Sequence, residues 1–458
     1  MAAKVGNREY PNIRGFIVIP AIVYLLIFAT MEYKNTADYA KEMDAKDPLR
    51  DFREKFYIPI IHKKPCIYFV GNSLGLQPKT TQDYIYNELE NWANYGVEAH
   101  FHAKVPWMDY HDQFIAPLSK IVGCLPKEVV VMNHLTVNLH LLLTTFYRPT
   151  KERYKIICEA KAFPSDQYAF ESQVKLHGLR PDDAIVEVAP REGEHNIRTE
   201  DIIATIHEHA GEIALALFGG IHYYSGKVFD MKAITEAAHS AGAWCGFDLA
   251  HAAGNIELHL HDWDVDFACW CSYKYLNSGP GNIAGAYIHE RFVTDPTLPR
   301  LAGWWGHDKE SRFKMEKNFV PIPTAEGWQL SNSPIISMAA HKSSIDIFEE
   351  AGMPNLIQKS KLLTGYLLFI LEQISLETNN SLFEIITPKK EKERGCQVSV
   401  LFLKKGKEIF DALKKHGVLS DWREPNVIRF SPVPLYNTFT DVYEFGQILN
   451  HLAADVQA

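Results

Sequence analysis

The chain has 458 residues, 47% of them hydrophobic and 22% charged, with a formal net charge of -9 at pH 7. That length exceeds one small core and suits a large and a small packed domain of ordinary globular composition. The acidic balance, with no Lys/Arg-rich run, argues against non-specific nucleic-acid binding, so an anionic substrate must be captured by a few local cations.

The first feature in chain order is an uncharged apolar run, Gly15 to Met31, which follows Arg14 and is interrupted by Pro20. A membrane span needs at least about 17 such residues, so three readings stand: an anchor, a signal peptide, or translated upstream sequence with the true start at Met31. No small-x-small cleavage pattern follows, and the text from Met31 reads as the polar, helix-prone start of a soluble enzyme, which favours the third reading. The chain then divides into an apolar extension (1–30), a helical segment that packs with the small domain (31–70), a large domain (71–330) and a small C-terminal domain (331–458).

Within the large domain, helical patterns alternate with short apolar strands. Helices are expected at Thr80–Tyr95, Val137–Thr145, Ser165–Leu176 and Met231–Ala241. Strands are expected at Glu128–Met132, Tyr154–Cys158, Ile213–Phe218, Ala243–Phe247, Phe267–Cys271 and Ala284–Ile288. Nearly continuous apolar strands separated by helices indicate an α/β fold with a mainly parallel sheet covered on both faces. The tail reads as α+β: helices Ile335–Glu350, Asn355–Glu377 and Glu408–His416, with strands Gln397–Leu403 and Val427–Phe430. The seven cysteines (Cys66, Cys124, Cys158, Cys245, Cys269, Cys271, Cys396) are never spaced C-x-x-C. They give no zinc pattern and no disulfide framework, and a reducing cytoplasm fits.

Sites in open parallel sheets lie beyond the carboxyl ends of the strands, so the residues that follow each strand carry the chemistry. Asp248 ends one apolar strand, and Lys274 follows the next. An acid there is costly to bury alone, and a helix cap or salt bridge would explain it. A lysine there is more often at the surface, but an amine withdrawn from water becomes a nucleophile. Together the two suit pyridoxal-phosphate chemistry, in which an acid keeps the ring nitrogen protonated and a lysine holds the aldehyde. Leu135 and Thr136, at the start of a helix after a strand, suit a phosphate, although Thr136 as a simple N-cap explains the pattern equally well taken alone. The glycine-rich turn Asn277–Asn282 lets backbone pass close to a ligand.

Five runs then resemble the kynureninases: FVGNSLGLQP (Phe69–Pro78), EAKAFPSD (Glu159–Asp166), GFDLAHAAGN (Gly246–Asn255), SYKYLN (Ser272–Asn277) and GWWGH (Gly303–His307). The resemblance covers the chain from about Met31 onward. It implies the aspartate aminotransferase type of fold, with a seven-stranded-type sheet, and a homodimer with sites near the subunit boundary. It also implies pyridoxal 5′-phosphate as cofactor and hydrolysis of kynurenine or 3-hydroxykynurenine, in tryptophan breakdown and NAD precursor synthesis.

Carried over by position, Lys274 holds the cofactor, Asp248 partners the ring nitrogen, and Tyr273 lies on the phosphate and donates a proton. Phe163 stacks on the ring, within the run Phe163-Pro164-Ser165-Asp166, and His251 lies nearby. Leu135, Thr136, Trp304 and Asn332 complete the cofactor set. Gly219 stands where a serine is expected, so a hydroxyl contact is lost and only backbone contact remains. Ser73, His100 and Asn332 match residues lining the aryl end, the last two implying a preference for the hydroxylated substrate. Arg429 matches the clamp on the amino-acid carboxylate, for which a guanidinium fork is suited. His100, His102 and His111 are too irregularly spaced for a metal site, and no nearby carboxylates complete a ligand pattern. A cysteine desulfurase or an aminotransferase of the same fold is the alternative enzyme. The desulfurase reading suffers because Cys396, the one cysteine after Lys274, opens a strand. From another class, the chain is a non-catalytic scaffold that kept the fold.

Overall fold

The computed structural model describes residues 32–457, so the apolar run 15–31 and the extension 1–30 lie outside the described residues. Among the described residues, no helix is long and apolar enough to cross a membrane.

The large domain is built on seven strands: β1 (Val129–Val131), β2 (Lys155–Glu159), β3 (Ile185–Val188), β4 (Ile213–Gly219), β5 (Trp244–Asp248), β6 (Phe267–Cys271) and β7 (Ala284–Ile288). They lie in the order β1-β7-β6-β5-β4-β2-β3. The strands from β6 to β3 in that order run parallel, and β7 is antiparallel to both β1 and β6. Side chains alternate between faces at every residue of a strand. Accordingly Phe267 and Cys269 join one core, with Leu215, Leu217, Leu139 and Leu142, while Ala268 and Trp270 join another, with Ala216, Phe218, Phe247 and Ile234. Both cores are sealed by helices, which is why the strands read as unbroken apolar runs. Gly285 lies directly opposite Trp270, and a Cβ there would stand 2.3 Å from the indole ring. Glycine is what lets that tryptophan lie across β7.

The strand β3, absent from the sequence expectation, sits at the sheet edge with a partly exposed Ile185-Val186-Glu187 face, so its apolar pattern is broken. The helices include α1 (Ala37–Lys46), α2 (Thr81–Tyr95), α3 (Leu135–Phe146), α4 (Pro164–Leu176), α5 (Met231–Ser240), α6 (Ile335–Ala351), α7 (Met353–Glu377) and α8 (Phe439–Gln457). A four-stranded antiparallel sheet completes the C-terminal part: β8 (Phe383–Ile385), β9 (Val398–Phe402), β10 (Asp421–Arg423) and β11 (Val427–Phe430), in the order β8-β9-β11-β10.

The N-terminal segment belongs physically to this second body. Tyr39, Ala40 and Met43 of α1 share a core with Leu367, Leu371, Phe430 and Phe445. Asp44 accepts the Phe439 and Thr440 N–H groups at 2.6 and 3.0 Å, capping α8 from 395 residues away. Close by, Lys359 of α7 meets Asp47 at 2.7 Å, both side chains only 3% exposed. Removing one partner of such a pair strands a buried charge, at a cost of about 3–5 kcal/mol. Lys359→Met is therefore expected to lower the unfolding free energy by about that amount, read as a lower denaturant midpoint at unchanged m-value.

Candidate active site

The carboxyl ends of β2, β4, β5 and β6 are neighbours, and Glu159, Gly219, Asp248 and Lys274 stand at or just past them. With the N-termini of α3 and α4 they enclose a cavity of about 220 Å³. Leu135, Thr136, Phe163, Ser165, Asp166, Gly219, Asp248, His251, Tyr273 and Lys274 line it, together with Glu159, Ile221, Tyr223, Ala250 and Cys271. Ten residues named from sequence thus meet at one edge of the sheet.

Lys274 is half-buried rather than buried, because its amine faces the cavity. Its Nζ lies 3.1 Å from His251 Nε2 and 5.8 Å from the centre of the Phe163 ring. Burial holds the His251 imidazole well below its usual range, and the Lys274 and Arg429 charges push the same way, so the ring is neutral. Its Nδ1 is buried without a hydrogen-bond partner.

Asp248 accepts the Ala250 N–H at 2.7 Å. Burial raises its carboxyl, while that N–H and Lys274 oppose the rise. Asp166, in the first turn of α4, is raised much further by burial and then by the charges of Asp248 and Glu159. In that pair Asp166 holds the proton and Asp248 the charge. Burial also lifts Glu159 to about 7. The pocket is rich in acid and short of cation.

The helix α3 starts at Leu135, two residues earlier than its apolar pattern indicates, because Leu135 and Thr136 continue the turn. Its N-cap is His134, which makes no capping side-chain bond. Thr136 is therefore inside the first turn and not the cap, and the first-turn N–H groups have no capping side chain over them. Phe163 is 41% exposed and meets Tyr223 edge-on at 5.3 Å. Pro164 opens α4 beside the cavity without lining it.

Arg429, on β11 and 1% exposed, donates from Nη1 to the Tyr223 carbonyl at 2.7 Å. Its Nη2 lies 2.8 Å from Asp421, its direct register partner on β10, and 3.4 Å from the Ser73 hydroxyl. Arg423 shares Asp421 at 3.2 Å. Arg429 and Ser73 therefore adjoin the cavity through Tyr223. Trp304, Asn332 and His100 do not line it: Trp304 is 42% exposed, Asn332 is exposed, and His100 bonds the Val97 carbonyl at 3.0 Å. His111 differs from expectation, since it does find carboxylates, Glu326 at 2.7 Å and Asp112 at 3.3 Å. Lys309, 3.1 Å from Glu326, already supplies a cation there.

Glu159, Tyr223 and Asp421 were not picked out from sequence. Glu159 carried the same signal as Asp248, an acid closing an apolar strand. Tyr223 contributes a carbonyl and an edge contact, which no sequence pattern marks. Asp421 sits on a short edge strand too polar to read.

The fold is similar to that of an apo cysteine desulfurase from Thermococcus onnurineus, with TM-score 0.70 and 17% identity over 93% of this chain and 99% of that one. It is also similar to the cystine C-S lyase C-DES in complex with its product cysteine persulfide, with TM-score 0.69 and 14% identity over 85% of this chain and 97% of that one. Six of the seven cysteines here are buried and Cys124 is half-buried, with burial raising every thiol. A native thiol titration is therefore expected to show at most one fast-reacting cysteine, and all seven only after denaturation; a fast Cys396 would revive the desulfurase reading.

Sequence relatives are much nearer. The chain is 58% identical over 419 residues to a kynureninase from Flavobacterium psychrophilum, covering 92% of this chain and 98% of that protein. It is 47% identical to that of Rattus norvegicus, covering 90% and 92%. Residues 356–449 match the kynureninase C-terminal domain. This chain belongs to the kynureninase family.

Proposed function

We propose that this cavity seats pyridoxal 5′-phosphate and that the enzyme cleaves L-kynurenine and 3-hydroxy-L-kynurenine to L-alanine and anthranilate or 3-hydroxyanthranilate. The observation that carries the reading is the meeting of Asp248, His251, Lys274 and the N-terminus of α3 around one cavity. The residues fit the group. A protonated pyridine ring brings the positive charge that Glu159, Asp166 and Asp248 lack, and the α3 N–H groups suit a phosphate. Phe163 offers its ring face at the mouth, and His251 Nδ1 is an unpaired polar atom beside it.

Bound there, pyridoxal phosphate supplies an aldehyde for the substrate amine and a ring that draws electrons from the α-carbon. The protein's own groups do the rest. Lys274 Nζ takes the α-proton, and neutral His251 accepts a hydrogen bond from the ammonium that results. Asp248 stays ionised opposite the ring nitrogen. Burial and the Cys271 thiol push the Tyr273 hydroxyl up, so it stays protonated. In this reading it protonates the β-carbon as the bond to the γ-carbonyl breaks, after water has added to that carbonyl. Arg429 holds the α-carboxylate in its fork, and Ser73 adjoins it.

Trp304, Asn332 and His100 enter the site from a second copy of the chain. The surface beside them supports this, since Leu301, Phe313, Met315 and Ile336 are large apolar side chains left 39% to 71% exposed. The homodimer works in a reducing cytoplasm, with its cysteines as thiols.

Lys274→Ala is expected to lose the visible band given by added cofactor and at least about 10²–10⁴ in kcat, measured by absorbance and by product fluorescence. Borohydride reduction of the cofactor-bound enzyme should label only the peptide containing Lys274. Arg429→Lys keeps the charge but loses the fork, so KM should rise by about tenfold or more with a smaller change in kcat. The kcat/KM for 3-hydroxykynurenine should exceed that for kynurenine, and His100→Ala and Asn332→Ala should narrow the gap.

A further inference from the structure

Glu159 closes β2 at the floor of the cavity and is 4% exposed. Its Oε1 accepts the Gly219 N–H at 3.0 Å. The next amide, Gly220 N–H, donates to the Asp248 carbonyl at 2.7 Å. One carboxyl oxygen thus reaches Asp248 through two consecutive peptide groups at the end of β4. Gly219 allows the approach, because a Cβ there would stand 3.2 Å from Glu159 Oε1, tighter than ordinary contact. This is the position where the resemblance calls for serine. The hydroxyl is gone, and a carboxyl lies against the space.

The titratable groups facing Glu159 are Asp248 from β5, Glu187 from β3 and Asp166 from α4. Lys274 lines the same cavity, and His251 is neutral. Among the residues lining this pocket, three acids, Glu159, Asp166 and Asp248, stand with one ammonium, Lys274. Burial, then Asp248 and Glu187, lift the Glu159 carboxyl to about 7, against the pull of its backbone hydrogen bonds. A cationic ring placed beside these acids favours the ionised form of each.

We propose that Glu159 is a positioning residue of the cofactor site, which holds the end of β4 against Asp248 and gives up its proton when a cationic ring is seated nearby. This rests on Asp248 pairing with the ring nitrogen of the cofactor, as proposed above. The sign follows from linkage. An acid that is neutral before binding and ionised after it releases a proton, so affinity for pyridoxal phosphate rises with pH through about 7. A tenfold difference in the acidity of the carboxyl between the free and bound enzyme corresponds to a tenfold difference in cofactor affinity. Glutamine keeps an oxygen for the Gly219 N–H but cannot titrate, whereas alanine loses both functions.

The test is equilibrium titration of the full-length enzyme, stripped of cofactor, with pyridoxal phosphate at about pH 6, 7 and 8, for wild type, Glu159→Gln, Glu159→Ala and Gly219→Ser. The wild-type Kd should fall across this range by at least about threefold more than that of Glu159→Gln, at equal melting temperature. Glu159→Ala should bind at least about threefold more weakly than Glu159→Gln at every pH. Gly219→Ser, which crowds the carboxyl without removing it, should displace the midpoint of the wild-type profile. It keeps the idea testable should the glutamine variant not fold. Superimposable profiles for wild type and Glu159→Gln, or an unmoved midpoint in Gly219→Ser, overturn the proton release, and equal affinity of the alanine and glutamine variants overturns the positioning. A wild type that takes up no pyridoxal phosphate at any pH is a separate failure, because it removes the cofactor reading on which this one stands.

Discussion

The arrangement depends on keeping one carboxylate ionised at the buried edge of a sheet. Asp248 sits where water is scarce and two further acids stand close, conditions that favour its neutral form. The Ala250 N–H and the Lys274 amine work against that, and Asp166 takes the proton that Asp248 gives up. Everything else around the pocket can be ordered by its relation to this charge. His251 is neutral and so does not compete with Lys274 for it. The N-terminus of α3 lines the same cavity, so an anion-favouring helix pole and a set of acids share one space.

One link between the second body of the protein and this centre runs through Tyr223. Tyr223 touches Phe163 with its ring and holds Arg429 with its carbonyl. The arginine is buried, and its fork is filled by Asp421 on the adjacent strand. Asp421 is shared, since Arg423 touches it as well at 3.2 Å. Two arginines around a single acid leave this corner a net cation of modest strength.

Much of this was legible in the chain because burial on both faces forces a recognisable text. Strands such as Phe267–Cys271 and Ala284–Ile288 could be bounded to the residue, since no polar position is tolerated between their ends. The same logic exposed Asp248 and Lys274, polar residues where the apolar run stops. What stayed hidden lacked that contrast. The strand β3 is half wet, β10 is short and polar, and Tyr223 acts through its backbone. The start of α3 was misjudged because Leu135 and Thr136 fit loop and helix alike. Trp304, Asn332 and His100 came from resemblance alone, and a single chain does not carry them to the pocket.

The cap that Asp44 places on α8 joins the earliest described helix to the last. A ribosome releases α1 long before α8 exists, so the small body cannot close its core until synthesis is finished. Its early half must wait, with Tyr39 and Met43 uncovered, while more than three hundred residues emerge and the central sheet assembles. Such late stitching makes slow, non-local folding the natural tempo of this chain. It also makes α1 and α8 poor places to cut into, because each is a structural member of the other.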